Sequence, residues 1–270
     1  MPIYTDQLDR KIEIKEIPKR IVSLVPSQTE LLFDLGVEEN IVGITKYCIH
    51  PREKVKKVTK IGGTKDFDVE KIANLKPDLI IANKEENYKE GIEALEKQFP
   101  VWISDVDDLN STLEMISDVS EIVGKQEEGK ELTDKLILNF NALENSTKNS
   151  YTTLYFIWKE PYMSIGQDTF INDILKRTNL ENVITENRYP TLTLDEIKNL
   201  NPQIVLLSSE PYPFKEKDIK EFAQVLPNAY IRVVDGELFS WYGSRLKHTV
   251  SYLKELQKDI KLHFNKLKLN

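Results

Sequence analysis

The sequence predicts an α/β protein with two Rossmann-like lobes, each built on a parallel sheet, joined by a long connecting helix. Three observations lead to this prediction. Short apolar runs alternate with amphipathic segments, the two halves share a repeated pattern, and a long helical segment lies between them. Such alternation is typical of parallel sheets covered by helices. The chain has 270 residues, which is enough for two domains of ordinary size.

The first half of the chain contains strand–helix–strand units. Residues 3–14 have the pattern of two short strands around a polar turn. Residues 21–25 form an apolar, β-branched run that leads into a helical pattern, and Gly36 stands where that helix would end in a left-handed residue. Residues 68–75 then form a short helix, and residues 78–82 form a strand of the buried type.

Two helices are predicted between the halves. Ser111 and Glu114 have capping-box spacing, so a helix opens there and closes near Gly124. A second helix covers about residues 127–143 and, at about 1.5 Å per residue, is long enough to pass from lobe to lobe. The polar residues 144–150 mark a boundary. The predicted organisation is an N-terminal lobe over residues 1–110, connecting helices over 111–149 and a C-terminal lobe over 150–270.

The second half repeats the pattern of the first at one constant offset. Three residues of the first half have counterparts of the same type in the second: Ile72 and Ile197, Leu75 and Leu200, Pro77 and Pro202. Near the end of an earlier helix, Asn179 takes the place of Gly36, and both residue types tolerate the left-handed conformation. We interpret this pattern as an internal pseudo-repeat with one lobe per half.

Charge and composition restrict the possible partners. The chain has 44 acidic and 37 basic residues, and its lysines are interspersed with glutamates. Phosphate binding needs a concentrated basic face, so we expect no nucleic-acid partner. Cys48 is the single cysteine, which excludes an internal disulfide. Residues 1–6 lack the pattern of an export signal and no window is apolar enough to span a bilayer, so a cytoplasmic location stays open.

Several segments carry a resemblance to a known family. They are Pro-Lys-Arg-Ile-Val-Ser-Leu at residues 18–24 with Thr29 and Glu30 after it, Gly-Gly-Thr at residues 62–64, and Leu-Lys-Pro-Asp-Leu-Ile at residues 75–80. In order and spacing they resemble the periplasmic iron-siderophore and cobalamin-binding proteins of ABC importers, the class with a helical backbone between lobes. The resemblance implies a binding protein without enzymatic activity or a cofactor of its own. Its ligand would be a corrinoid or a ferric chelate, and we expect a monomer.

The same resemblance implies a partner and a compartment. The partner is the permease of an ABC importer, and the location is the periplasm or the outer face of the membrane. The family docks on the permease through one surface acid per lobe, and the matching positions here are Glu70 and Asp195. Asp195 has a shorter reach than the usual glutamate, and Glu196 is an alternative. Acids near a helix start also favour the helix dipole, which is the structural interpretation of both residues.

Loops that follow the strands are predicted to hold the ligand, because ligands of parallel sheets bind beyond the carboxyl ends of the strands. These loops are rich in aromatic side chains, which suit a large flat ligand, and carry arginines that can meet acidic groups. Packing at a lobe surface is the alternative role of each aromatic residue. The candidate ligand-binding residues are Tyr47, Lys65, Trp158, Tyr162, Arg188, Tyr189, Trp241, Tyr242 and Arg245.

Direct metal binding has weak support in the sequence. Cys48 and His50 lie two residues apart and offer a soft metal two ligands, but a bare zinc or manganese site needs more, and the chain has only 3 His. We therefore predict no metal site, with His50 as an axial contact to a ligand-borne metal as the alternative.

Two other functions are compatible with this fold class. One is an enzyme that binds a nucleotide or a metal cluster, since the same architecture hosts unrelated chemistry. The phosphate-loop and nucleophile-elbow patterns are absent from the sequence, which argues against it. The other is a cytosolic sensor or chaperone that uses the same ligand residues without a transporter.

Overall fold

The computed structural model of the protein describes residues 2–146 and 149–267. Two units form within these residues. Among the described residues, unit 1 comprises 2–106, 110–135 and 242–245, and unit 2 comprises 107–109, 136–241 and 246–267. The polar boundary predicted at residues 144–150 includes residues 147 and 148, which lie outside the described residues. The limits predicted for the lobes and connecting helices stay a prediction.

Unit 1 has a parallel sheet, as the sequence predicted. An antiparallel pair, β1 (Ile3–Thr5) and β2 (Lys11–Glu13), comes first in the chain. The strands of the sheet are β3 (Ile21–Ser23), β4 (Ile41–Ile44), β5 (Thr59–Lys60), β6 (Leu79–Asn83) and β7 (Val101–Ser104), in the spatial order β5-β4-β3-β6-β7. All residues of β3, β6 and β7 are buried, which explains why their apolar runs do not alternate with polar residues.

Helices cover this sheet and complete its core. They are α1 (Pro26–Asp34), α2 (Arg52–Val55), α3 (Val69–Asn74), α4 (Lys89–Glu96) and α5 (Leu109–Ile122). Ile72 of α3 and Leu95 of α4 share one buried cluster with Ile80 of β6 and Ile103 of β7. Burial of each such side chain stabilises the fold by about 1.5–3 kcal/mol. This packing joins α3 and α4 to the strands of the sheet.

The chain passes from unit 1 to unit 2 within α6 (Gln126–Ser146). The helix is longer than the 127–143 segment predicted for it, and Leu136, Phe140 and Leu143 of the predicted apolar stripe are buried. Its length of 21 residues corresponds to about 31 Å. Among the described helices, none combines the length and the apolar character that crossing a membrane requires.

Unit 2 is built on a second sheet. Its strands are β8 (Tyr151–Trp158), β9 (Tyr162–Ser164), β10 (Leu180–Asn182), β11 (Thr191–Leu192), β12 (Ile204–Ser208) and β13 (Tyr230–Val234). Its helices after α6 are α7 (Phe170–Arg177), α8 (Leu194–Leu200), α9 (Glu216–Val225), α10 (Glu237–Ser240) and α11 (Leu246–Leu267). Strand β8 pairs in parallel with β10 and β12, and β12 pairs in parallel with β13.

The pairing of β9 and β11 in this sheet was not anticipated. Both strands pair antiparallel, β9 with β8 and β11 with β9. They are short, with three and two residues, so hydrophobic periodicity gives almost no signal for them. Unit 2 therefore adds an antiparallel edge to its parallel strands.

The internal repeat is confirmed in the backbone. Helices α3 and α8 and strands β6 and β12 begin at residues with the offset found in the sequence, as between Leu79 and Ile204. The residues that cap α3 and α8 also correspond, since Asp68 and Thr193 each accept a hydrogen bond from the N–H three residues later. The repeat thus includes the local signals that start each helix.

Two left-handed residues were predicted correctly, whereas one helix start was wrong. Gly36 has a φ of 74° and Asn179 a φ of 54°. Gly36 ends α1, because its N–H donates to the carbonyl of Phe33, one of the two hydrogen bonds of a Schellman motif. Helix α5 begins at Leu109 rather than at Ser111, and the N–H of Leu109 donates to the carboxylate of Asp173 at 3.0 Å.

Candidate ligand-binding edges of the two sheets

The parallel strands of unit 1 end at one edge of the sheet, where hydrogen bonds fix the loops that follow them. The backbone N–H of Lys46, after β4, donates to the carbonyl of Gly62, after β5, at 2.7 Å. The side-chain amide of Asn87, after β6, donates to the carbonyls of Leu24 and Thr64. These bonds join the loops after four strands. We refer to this part of the molecule as the carboxyl edge of unit 1.

Tyr47 and Lys65 are exposed at the carboxyl edge of unit 1. The side chain of Tyr47 is 52% exposed, and the ammonium group of Lys46 lies 5.1 Å from the centre of its ring. A Cβ atom at Gly63 would lie 3.0 Å from the Tyr47 ring, so glycine leaves room for that ring. The ammonium group of Lys65 donates to the backbone carbonyl of Glu85. Both predicted residues are therefore accessible from the solvent.

Tyr242 is buried at the same edge. Burial, with a contribution from the carboxylate of Glu86, raises the pKa of Tyr242, while interactions with Ser27 and Ser104 act in the opposite direction. Burial also raises the pKa of Glu86, and the neighbouring Glu85 adds to this effect. An acid that lies after β6 thus stands close to a buried tyrosine, and of the two residues only the tyrosine is a candidate predicted from the sequence.

Arg245 forms an ion pair inside unit 1. Its guanidinium donates from Nε to Oε2 of Glu30 at 2.8 Å and from Nη2 to Oε1 at 2.9 Å. Only 11% of the Arg245 side chain and 9% of the Glu30 side chain are exposed. Arg245 therefore uses both of these N–H groups to bind Glu30, and fewer donors remain for an acidic group of a ligand.

In unit 2, Trp158 ends β8 and Tyr162 begins β9, so the two residues flank the turn of this hairpin. Trp158 is 40% exposed, and the edge of its ring meets Tyr212 with 5.8 Å between ring centres. The hydroxyl of Tyr162 donates to Glu221 at 2.6 Å, and Glu221 also accepts from Lys159 at 2.6 Å. Trp158 presents an accessible aromatic face, while the hydroxyl of Tyr162 is engaged in a polar network.

Arg188 and Tyr189 lie in a loop with a constrained backbone. Arg188 has a φ of 63°, which is unfavourable for a residue other than glycine. Its backbone N–H donates to the carboxylate of Asp168 at 2.5 Å. The N–H of Gly166 donates to the carbonyl of Arg188 at 2.6 Å, and a Cβ atom at Gly166 would meet the carbonyl of Glu186 at 2.4 Å. The guanidinium lies 5.6 Å from the centre of the Tyr189 ring. The loop therefore holds a strained residue whose guanidinium stacks near an aromatic ring.

Trp241 is paired with an acid in the loop after β12. Its indole Nε1–H donates to Oε1 of Glu210 at 2.9 Å, and the hydroxyl of Ser240 donates to the same oxygen at 3.3 Å. Burial, with the nearby Glu237, raises the pKa of Glu210 to about 7. The loops and α10 that follow the parallel strands of unit 2 form its carboxyl edge, and Glu210 is the most strongly perturbed acid described there.

The two predicted docking acids occupy equivalent places in the repeat. Glu70 is the second residue of α3 and Asp195 the second residue of α8, and both are exposed. Glu196 takes part in the capping box at the start of α8. Its carboxylate accepts hydrogen bonds from the backbone N–H and the hydroxyl of Thr193, at 2.7 Å each. Among the acids of α8, Asp195 is therefore the better placed for a partner.

The pair considered as metal ligands, Cys48 and His50, is not arranged as a soft-metal site. The thiol of Cys48 is buried, 3.1 Å from the hydroxyl of Thr29 and 3.2 Å from that of Thr45. Burial raises the pKa of this thiol, which disfavours the thiolate that a metal needs. Within residues 2–146 and 149–267, no group of three or more His, Cys, Asp or Glu side chains is placed to hold a metal ion.

Comparison with known proteins shows the family. The chain matches the periplasmic binding protein family over residues 21–228, from β3 to the residues after α9. The chain belongs to this family. The match includes Glu70, Asp195, Glu86 and Glu210, and it ends before Trp241.

Individual relatives of this periplasmic binding protein span nearly its whole length. An uncharacterized ABC transporter substrate-binding lipoprotein of Bacillus subtilis, YvrC, is 28% identical over 265 residues, which covers 93% of this chain and 83% of the relative. The periplasmic vitamin B12 binding protein BtuF of Vibrio cholerae has a similar structure, with a TM-score of 0.79, 18% identity, and coverage of 91% of this chain and 98% of that one.

A second similar structure belongs to a protein whose name gives another ligand. The periplasmic heme-binding protein RhuT of Roseiflexus sp. RS-1 has a TM-score of 0.77 at 20% identity and covers 90% of this chain and 97% of its own. At such identities the solved structures show the fold alone. They confirm the predicted class of two α/β lobes joined by a long helix.

Three acids of this periplasmic binding protein were missed as functional candidates. Glu30 is buried against Arg245, Glu86 stands near Tyr242, and Glu210 accepts from Trp241. The repeat offered a signal for one of them, because the offset that relates Ile72 to Ile197 also relates Glu85 to Glu210. Glu30 follows no strand directly, so no loop rule could have singled it out.

Proposed function

We propose that this protein is the ligand-capturing component of an ABC importer for a metal chelate, a corrinoid or a ferric siderophore. The observation that carries the proposal is membership in the periplasmic binding protein family over residues 21–228. The name of the Bacillus subtilis relative describes a substrate-binding lipoprotein of an ABC transporter, and that of the Vibrio cholerae structure a vitamin B12 binder. The first name supports a role in an ABC transporter, and the second supports a corrinoid ligand and a place outside the cytoplasm.

The carboxyl edges of the two units supply the proposed ligand contacts. Tyr47 and Trp158 are large aromatic side chains that remain 52% and 40% exposed. Exposed aromatic rings cost free energy in water and contribute most when a flat ligand covers them. Lys65, Arg188 and Trp241 complete the proposed set of contacts at the periphery. Tyr162, Tyr189, Tyr242 and Arg245 would act mainly by shaping the edges, since each is partly or fully buried.

The permease is the proposed macromolecular partner. Glu70 and Asp195 are exposed acids in equivalent places on α3 and α8, and each has the repeat-related cap, Asp68 or Thr193, directly before its helix. An acid on each unit fits a partner that presents two basic sites, and opposite charges both steer association and fix its register. We propose that the protein acts on the permease as a monomer.

A thermal-shift screen tests the proposal. Purified protein is incubated with corrinoids, ferric siderophores and haem, and separately with nucleotides and bare divalent metals. A ligand at about 100 times its dissociation constant stabilises the folded state by about 2.7 kcal/mol. We expect a clear increase in melting temperature with a chelate and none with nucleotides. A shift with nucleotides or bare metals alone would favour the enzyme hypothesis.

A further inference from the structure

The loops at both carboxyl edges carry more acids than bases. In unit 1, residues 45–51, 61–68, 84–88 and 105–106, which follow β4, β5, β6 and β7, contain three lysines and five acids, which are Lys46, Lys65, Lys84, Asp66, Asp68, Glu85, Glu86 and Asp105. In unit 2, residues 159–161, 183–190, 209–215 and 235–241 contain three bases and five acids, which are Lys159, Arg188, Lys215, Glu160, Glu186, Glu210, Asp235 and Glu237. A ligand at either edge therefore meets a net negative field.

Most of the cations at these edges already interact with oxygen atoms of their own unit. In unit 1, Lys84 lies 2.5 Å from Asp105 and Lys46 lies 3.1 Å from Asp66. The Lys65 ammonium group donates to a backbone carbonyl. Two of the three lysine charges at this edge are thus paired with carboxylates, and Lys65 keeps a charge that its neutral carbonyl partner does not compensate.

In unit 2, the buried cation Lys159 also interacts with acids of its own unit. Lys159 contacts Asp218 at 3.0 Å and Glu221 at 2.6 Å, and only 11% of its side chain is exposed. The two acids hold the pKa of Lys159 well above its usual range, so it stays charged and committed to them. Arg188 and Lys215 are exposed cations of this edge, and they stand among five acids of the same loops.

Several of the edge acids are half-buried, and burial raises the pKa of two of them. Glu86 and Glu210 are both half-buried, and burial is the main cause that raises the pKa of each. A buried carboxylate is stabilised by a cation or by N–H donors and is destabilised further by a second anion. Trp241 and Ser240 already supply two donors to one oxygen of Glu210. A ligand that brings further N–H donors or positive charge therefore stabilises these buried carboxylates.

From these observations we infer that the chelate is uncharged or cationic, with N–H donors at its periphery, and that Glu86 and Glu210 select it against anionic chelates. The inference rests on the proposed function, because it concerns the specificity of the same edges. Amide-bearing corrinoids and cationic ferric hydroxamates share this chemistry. Haem with its propionates and ferric catecholates have the opposite character, and like charges brought together at a binding surface cost several kcal/mol.

Titration calorimetry with four defined probes tests the inference. The probes are cyanocobalamin, which is uncharged, ferrioxamine B, which is cationic, and haemin and ferric enterobactin, which are anionic. We expect one of the first two to bind at least about tenfold more tightly than either anion at low salt. Binding of cyanocobalamin would indicate a corrinoid as the natural ligand, and binding of ferrioxamine B would indicate a ferric hydroxamate. Added salt should narrow the gap if the cationic probe binds, because it screens exposed charges.

Charge-removing variants assign the selectivity to the two acids. Glu86→Gln and Glu210→Gln keep the size of each side chain, and Glu255→Gln on α11, exposed and remote from the edge loops in sequence, is the matched control. We expect each edge variant to reduce the preference for the favoured probe over haemin by about threefold to tenfold, and the control to leave it unchanged. Melting temperatures of all variants are compared first, so that a folding defect is recognised.

The outcomes separate this inference from the proposed function. Tightest binding of haemin or ferric enterobactin would overturn the inference and leave the proposed function intact. An unchanged preference in both edge variants would also overturn it. Binding of no chelate at all would refute the proposed function and the inference with it.

Discussion

Glu30 and Arg245 form a two-point ion pair at 2.8 and 2.9 Å that holds residues 242–245 against helix α1 in unit 1. In the sequence these four residues lie between α10 and α11, which both belong to unit 2. The pair therefore keeps a short segment, including the buried Tyr242, attached to unit 1 although its neighbours in the chain belong elsewhere. We assign Arg245 a structural role first, and any effect of its replacement on ligand binding should accompany a loss of stability.

Replacement of Arg245 tests this structural role. The variant Arg245→Met leaves the buried carboxylate of Glu30 without its cation, and we expect it to lose about 3–5 kcal/mol of the free energy of unfolding. The double variant Glu30→Gln with Arg245→Met should recover most of that loss, because neither charge remains. Urea unfolding followed by circular dichroism gives both values. A single variant as stable as the wild type would contradict the assignment.

The network around Lys159 should stabilise unit 2. Asp218 has no exposed side-chain surface, so Lys159→Met leaves a buried acid uncompensated, and we expect a loss of about 3 kcal/mol or more. Lys130→Met on α6 is the matched control, since the Lys130–Asp134 pair is exposed and surface pairs contribute less than about 1 kcal/mol. Equal losses in the two variants, measured by urea unfolding, would show that burial of Asp218 does not matter.

Glu210 should make stability depend on pH. Its pKa is raised to about 7 by burial and by the acids Glu237 and Asp235, against the donors Trp241 and Ser240. Below the pKa that Glu210 has in the unfolded chain, its carboxyl group is neutral in both the folded and the unfolded state. As the pH rises from there to about 7, the unfolded state releases the proton first, so this group lowers the free energy of unfolding. Wild type should therefore lose about 2–3 kcal/mol relative to Glu210→Gln across that range.

Paired unfolding curves of wild type and Glu210→Gln at about pH 5 and pH 8 measure this difference. Tryptophan fluorescence provides an independent reading, because the indole of Trp241 donates directly to Glu210. A transition near neutral pH in the wild type should be absent from the variant. Parallel stability profiles for the two proteins would show that Glu210 ionises without a penalty.

The two exposed acids should govern association with the membrane partner. Combined replacement Glu70→Ala and Asp195→Ala is expected to weaken binding to membranes that contain the cognate permease by about tenfold or more, without a change in ligand affinity. Glu93→Ala on α4 and Glu255→Ala on α11 are exposed controls, one in each unit. Glu196→Ala should instead reduce stability by about 1 kcal/mol, because it removes half of a capping box.

The fold class was predictable from the sequence because its signals are local and repeated. The runs that became β3 and β6 are buried on both faces and therefore read as continuous apolar segments. The repeat fixed α3, β6, α8 and β12 together, since each half supports the interpretation of the other. The strands β9 and β11 were missed, because two or three residues show no periodicity and their pairing depends on tertiary contacts.

The candidate site was predictable only in part. The rule that ligands bind beyond the ends of parallel strands selected the loops, and aromatic content selected Tyr47 and Trp158, which are indeed exposed. The rule could not tell that Arg245 is held by Glu30, because those two residues are 215 positions apart. Nor could it show that Glu210 pairs with Trp241, which requires the positions of side chains on two separate segments.

The central claim is that the protein binds a metal chelate. Its most direct test is a titration of purified protein with the chelate that gives the largest thermal shift, monitored by tryptophan fluorescence. We predict saturable quenching at one chelate per chain, weakened by about tenfold or more in Trp158→Ala and in Trp241→Ala, since loss of a covered aromatic ring removes about 2 kcal/mol or more. Trp102, which is fully buried in β7, supplies a background signal that does not respond. Absence of quenching by every corrinoid, ferric siderophore and haem would contradict the account.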